Sequence, residues 1–155
     1  MDALIAFLHA RLDEDAAAAH AATPGPWWYT PGKQWLEGEA FERYDLSRGE
    51  EFVGYGGPHP FTGAVACTGP ADDPRSMADA AHIARHDPAR ALLRTEARRR
   101  LLHAYENPET SPDLPASVNA LTARLERQVL ERVLRLLAVE YNDHPAYRPE
   151  WAPVT

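Results

Sequence analysis

The chain has a single cysteine, Cys67, and so no intramolecular disulfide; no Cys/His cluster has zinc-finger spacing either, which fits a reducing compartment. The cytoplasm is the expected location. Lysine is almost missing, Lys33 being the only one, so the basic charge is carried by arginine. A formal net charge of -7 and a pI near 5.4 exclude general attraction to DNA, RNA or an anionic membrane as the main mode of action. Nucleic acid is therefore not an expected partner. No long apolar run is present: the opening MDALIAFLHARLDED is broken by His9 and Arg11 with no basic stretch before it, so it reads as neither a secretory signal nor a membrane span. A Gly-x-Ser-x-Gly elbow is lacking, and the glycines of GYGGPHP are followed by prolines rather than by a phosphate-cradling helix. No catalytic residue is assigned on this basis. Cys67, in the apolar run AVAC with no basic neighbour, reads as a buried strand residue.

What the chain does have is 155 residues, 45% of them hydrophobic, which suffices for one ordinary core and predicts a single domain over 1–155. Leu4, Ile5, Leu8, Leu12, Ala16 and Ala19 recur at helical spacing and predict a helix over 2–22, ended by Thr23-Pro24-Gly25-Pro26. From Trp27 to Thr68 aromatic and β-branched residues punctuated by glycine predict a strand-rich insert over 27–68. Its candidate strands are Trp27 to Thr30, Lys33 to Leu36, Phe41 to Leu46, Glu51 to Tyr55 and Gly63 to Cys67, of which three or four form a meander.

A helical pair is expected over 76–106, with Ser76 capping the first helix and Asp87-Pro88 opening the second. The core face of that second helix reads as Ala89, Leu93, Ala97, Leu101 and Ala104, with Leu92 and Tyr105 beside it. A proline-rich linker, 107–115, leads into a long helix over 116–139, capped near Ser117. Val118, Leu121, Leu125, Val129, Val133 and Leu136 form one face of it, widened by Leu130, Leu134 and Leu137. An arc that broad asks for two partners. The tail, 140–155, carries three prolines with Tyr147 and Trp151 as aromatic anchors. The fold class is α+β: about four helices, a small antiparallel β-sheet inserted after the first helix, and an extended C-terminal tail.

Three pieces carry a family resemblance: Ala22-Thr23-Pro24-Gly25-Pro26-Trp27; the run from Asp79 through His82, His86, Asp87 and Pro88 to Arg90; and Asp143-His144-Pro145 with Tyr147, Arg148, Glu150 and Trp151. Together they resemble an uncharacterised family of short proteins from actinobacteria and their phages, the domain of unknown function 6221. The resemblance implies a small soluble actinobacterial or prophage-encoded protein. It brings no catalytic residue, substrate or partner with it.

The segment ADAAHIARHDPAR comes closest to chemistry. At about 100° per residue, Asp79, His82 and His86 share one helical face within roughly 60°, opposite Met77, Ala80, Ala81 and Ala84. Two histidines at i and i+4 can reach one metal ion, with the carboxylate as a third ligand or an orienting group. Ile83 stands where a zinc protease has its glutamate, so that motif is absent. The structural alternative is a solvated or capping face. Trp27 and Trp28, with Arg94 and Arg98 from the arginine-rich helix, are the candidate binding residues, for which ordinary core packing and intramolecular ion pairing are the competing roles.

The expected function is that of a small, soluble, non-enzymatic interaction or accessory protein without a cofactor, recognising a protein partner or forming a homodimer through the last helix. The alternative is a metal-dependent hydrolase, with zinc or another divalent ion held by Asp79, His82, His86 and a distant ligand such as His144.

Overall fold

The structure, a computed structural model, describes residues 1–29, 49–56 and 63–153. Along the chain run α1 (Asp2–Ala21), β1 (Trp27–Tyr29), β2 (Glu50–Tyr55), β3 (Gly63–Pro70), α2 (Pro74–Ala84), α3 (Pro88–Glu106), α4 (Ala116–Val139) and a 3-10 turn, Pro149–Trp151. This is the α+β fold, with four helices among the described residues and a small antiparallel sheet after the first helix. The expected strands Lys33 to Leu36 and Phe41 to Leu46 lie outside the described residues. Contacts divide the chain into two compact units, Met1–Asp15 with Arg94–Thr155, and Ala16–Leu93, the divisions falling inside α1 and α3.

The first unit is helical. Leu4, Ile5, Leu8 and Leu12 of α1 are buried, as their spacing requires, and Phe7 joins them. Leu102 of α3, Leu134 and Ala138 of α4, and Trp151 complete the core, with Tyr105, Tyr141 and Tyr147 packed at its margin. The α3 face is rotated from the one expected: Leu93 is 72% exposed while Thr95 and Leu102 are buried, and of the expected row Leu101 packs against the core. The inward row is Thr95, Arg98, Leu102 and Tyr105, equally helical in spacing. Its polar members hid it. Arg98 is tolerated there because its Nη2 lies 2.6 Å from Glu140 Oε2.

The tail past α4 runs through turns into its 3-10 turn, and its aromatics do the anchoring. Phe7 meets the rings of Tyr141, Tyr147 and Trp151 at centroid distances of 6.2, 6.3 and 4.8 Å. Beside them Arg11, buried in α1, lies over the Phe7 ring, donates to Glu14 Oε1 at 2.6 Å and meets His144 Nε2. The Tyr141 hydroxyl donates to Asp15 Oδ2 at 2.6 Å.

Among the described residues the second unit holds a three-stranded sheet, order β1-β2-β3, antiparallel throughout and covered by α2. The α2 cap is Asp73 rather than Ser76: Asp73 Oδ1 accepts from the Arg75 amide at 3.0 Å, and Pro74 takes the first helical position, where no amide is needed. Ser76 is instead buried one turn in, and its carbonyl accepts from Thr68 Oγ1 of β3 at 2.8 Å. Gly69 opposes it with φ +126°, where a Cβ would stand 2.5 Å from Ser76 Oγ, so helix and strand approach closely because that position has no side chain. Cys67 is exposed rather than buried. Its face of β3 is not the one α2 covers, and its Sγ lies 3.4 Å from Glu50 Oε2.

Candidate functional site

The α2–α3 corner forms as the sequence dictates. Asp87 Oδ1 accepts from the Arg90 amide at 2.7 Å, and Pro88 opens α3 behind it. The other side of the corner is the Thr23–Trp27 turn, whose Gly25-Pro26 peptide is cis. A Cβ on Gly25 would meet Asp87 Oδ2 at 3.0 Å, so the Asp87 carboxylate sits close against the backbone of this turn. Trp27 is fixed beside them by donation from Nε1 to the Thr23 carbonyl at 2.9 Å.

Between these turns lies an open cleft of about 340 Å³, walled by Pro26, Trp27, Trp28 and Tyr29 on one side and by Ala84, Arg85, Asp87 and Arg90 on the other. Two of the pieces that carried the family resemblance thus meet around one concavity. Guanidinium groups beside aromatic rings can hold a carboxylate or phosphate while a planar or apolar group rests on an indole. The binding residues inferred from sequence divide here. Trp27 and Trp28 line the cleft, whereas Arg94 is exposed in α3 and Arg98 is engaged by Glu140. The arginines that do line it, Arg85 and Arg90, belong to the same locally basic stretch of sequence as Arg94 and Arg98.

Asp79 and His82 are exposed on α2 and His86 is exposed in the turn that follows it. Ring centroids of His82 and His86 stand 4.4 Å apart, and His86 Nδ1 lies 2.8 Å from the His82 carbonyl, so its proton is best placed there. The rings stack at the helix end. Among the described residues no group of three or more His, Cys, Asp or Glu side chains is arranged to hold a metal ion. His144, the distant ligand considered, receives the Ala146 amide at Nδ1 (3.0 Å) and faces Arg11 at Nε2, so both its nitrogens are engaged locally.

A family model described as a family of unknown function, DUF6221, matches residues 1–153. The chain belongs to DUF6221. No curated protein and no solved structure matches it. No helix among the described residues of this DUF6221 chain is long and apolar enough to cross a membrane.

The other surface of note in this DUF6221 member is on α4. Much of the apolar arc read from the sequence turns outward: Val118, Leu121, Leu125, Val129 and Leu136 are 40, 58, 53, 63 and 59% exposed. Burial falls instead on the adjacent row, Leu134 and Ala138, with Leu130 and Leu137 partly covered. The helix is anchored by this row and by Arg127, whose Nε donates to the Tyr105 carbonyl at 3.2 Å. Its N-cap lies two residues before Ser117 and makes no side-chain capping bond. Pro115 takes the N-cap position, and Asn119 ties the preceding linker down: its Oδ1 accepts from the Ser111 amide, and its Nδ2 donates to the carbonyls of Ser111 and Leu114.

Proposed function

We propose that this protein acts through binding, as a non-enzymatic interaction or accessory protein that docks a protein partner on the exposed face of α4. The observation that carries the reading is the row Val118, Leu121, Leu125, Val129 and Leu136, five aliphatic side chains in one stripe. Isolated exposed aliphatics are ordinary, but a contiguous stripe on a long helix keeps apolar surface in water and is the usual mark of a docking face. The setting proposed for it is cytoplasmic, in an actinobacterial or prophage-encoded chain. The family motifs and an arginine supply accompanied by a single lysine, Lys33, support that origin.

The test is affinity capture from a cognate extract with the wild type and with Leu125→Asp/Val129→Asp, folding being verified by circular dichroism. Docking on α4 requires that the aspartates abolish every specific partner recovered, the chain itself included. An identical set of partners from both proteins would remove α4 as the docking face.

A further inference from the structure

Resting on that reading of α4, we propose that the occupant of its exposed face is a second copy of the same chain, the two α4 helices packing antiparallel about a two-fold axis at position 127. The spacing of the stripe is the first argument. Val118, Leu121, Leu125, Val129 and Leu136 follow steps of three and four, Arg132 filling the gap, so the pattern repeats every 11 residues: Val118 to Val129, Leu121 to Arg132, Leu125 to Leu136. An 11-residue repeat departs little from the natural turn of an α-helix, so the stripe runs almost straight along α4. All five aliphatic residues fall within about 80° of arc at 100° per residue. A straight stripe suits a straight partner helix.

The second argument is self-complementarity. A two-fold axis at position 127 places residues whose numbers sum to 254 opposite one another. Leu125 then meets Val129 of the other copy, Val118 meets Leu136, and Leu121 meets the half-buried Val133. In this register every aliphatic residue of the stripe meets another aliphatic residue. Centring the pair at 125 instead sets Val118 against Arg132. The like charge at the centre, Arg127, lies on the far side of α4, held by the Tyr105 carbonyl of its own chain.

Charge agrees with the same register. Arg124 and Glu131 lie on one flank of the stripe and their numbers sum to 255, so each Arg124 comes beside Glu131 of the other copy, twice over. Arg124 makes no ion pair or hydrogen bond among the described residues. Among the described residues Glu131 is engaged only through Oε1, which accepts from Arg135 Nε and Nη2 at 3.2 and 2.9 Å. Glu131 also borders a groove of about 590 Å³ lined with it by Arg132 and Leu136, which the N-terminal half of the other α4 would fill. The stripe covers 19 residues, or about 27 Å of helix, and burying it in both copies removes on the order of 1,000 Å² from water, the low end for a specific interface. A reversible, concentration-dependent dimer is therefore expected.

Size-exclusion chromatography with light scattering over a concentration series reads the result on the full chain. The expected mass rises from 17.2 kDa toward twice that value in the wild type and stays at 17.2 kDa for Leu125→Asp/Val129→Asp with its circular dichroism unchanged. Arg124→Glu should raise the midpoint concentration severalfold, and Arg124→Glu/Glu131→Arg should bring it back. Register is read in a Cys67→Ser background, where a mixture of Leu125→Cys and Val129→Cys chains should oxidise mainly to the mixed disulfide. Leu125→Cys chains that cross-link mainly to one another would overturn the antiparallel register. A wild type monomeric throughout overturns self-association and leaves α4 free for another partner. A dimer indifferent to the aspartates overturns the α4 interface, since the copies would then associate through another face.

Discussion

At the scale of single residues, the corner between α2 and α3 rests on one carboxylate. Asp87→Ala removes the acceptor for the Arg90 amide and is expected to cost about 1 kcal/mol, seen as a lower urea midpoint, whereas Asp87→Asn should retain most of the stability. Gly69→Ala should cost more, about 1–3 kcal/mol by the same measurement, because it combines φ +126° with a clash against Ser76 Oγ. Tyr141 supplies a pH-dependent contribution. Burial first, then donation to Asp15 and that carboxylate's charge, push its hydroxyl above the ordinary tyrosine range. The folded state thus holds the proton more tightly than the unfolded state. The stabilisation is complete below about pH 10 and is lost as pH rises past it. Urea midpoints followed from about pH 8 to 11 should therefore fall more steeply for the wild type than for Tyr141→Phe. The Asp87 cap could be read in the sequence because Asp-Pro announces itself locally. The Arg98–Glu140 and Arg11–His144 pairs could not, since their members are far apart along the chain and become partners only through folding.

At the scale of elements, helical periodicity located each described helix to within a few residues but assigned its buried face less well. In α1 the aliphatic spacing and the buried face coincide. In α3 two faces have helical spacing, and the one containing Thr95 and Arg98 is inside, with the pairing of Arg98 to Glu140 offsetting the partial burial of its charge. In α4 the apolar arc is wider than the chain itself covers, and hydrophobicity alone cannot say which part of it faces inward. Paired truncations separate the two rows. Leu134→Ala, at a fully buried site, should lower stability by about 2–5 kcal/mol. Leu125→Ala should change the stability of the isolated chain by less than about 1 kcal/mol in dilute thermal unfolding, because that side chain is already half in water. Equal losses at the two positions would mean that α4 packs the other way round.

At the scale of the whole molecule, the resemblance motifs meet in two places. The first two meet around the cleft of the sheet unit, and the third closes the helical unit by setting Tyr147 and Trp151 against Phe7. Trp151→Ala opens that core and should cost about 3–5 kcal/mol, with loss of the near-ultraviolet circular dichroism that packed aromatics give. The sequence identified Trp151 as an anchor but could not name its partner, 144 residues earlier in the chain. The linker between α3 and α4 shows the reverse relation between local composition and outcome. Pro108, Pro112 and Pro115 mark a break in helical structure, yet a single side chain, Asn119, fastens the segment with three hydrogen bonds. A protease must draw several residues of substrate into an extended strand, and a clamped turn cannot be drawn out without first releasing Asn119. Residues 107–115, by composition an obvious place for a nick, should therefore survive limited digestion until Asn119 is replaced.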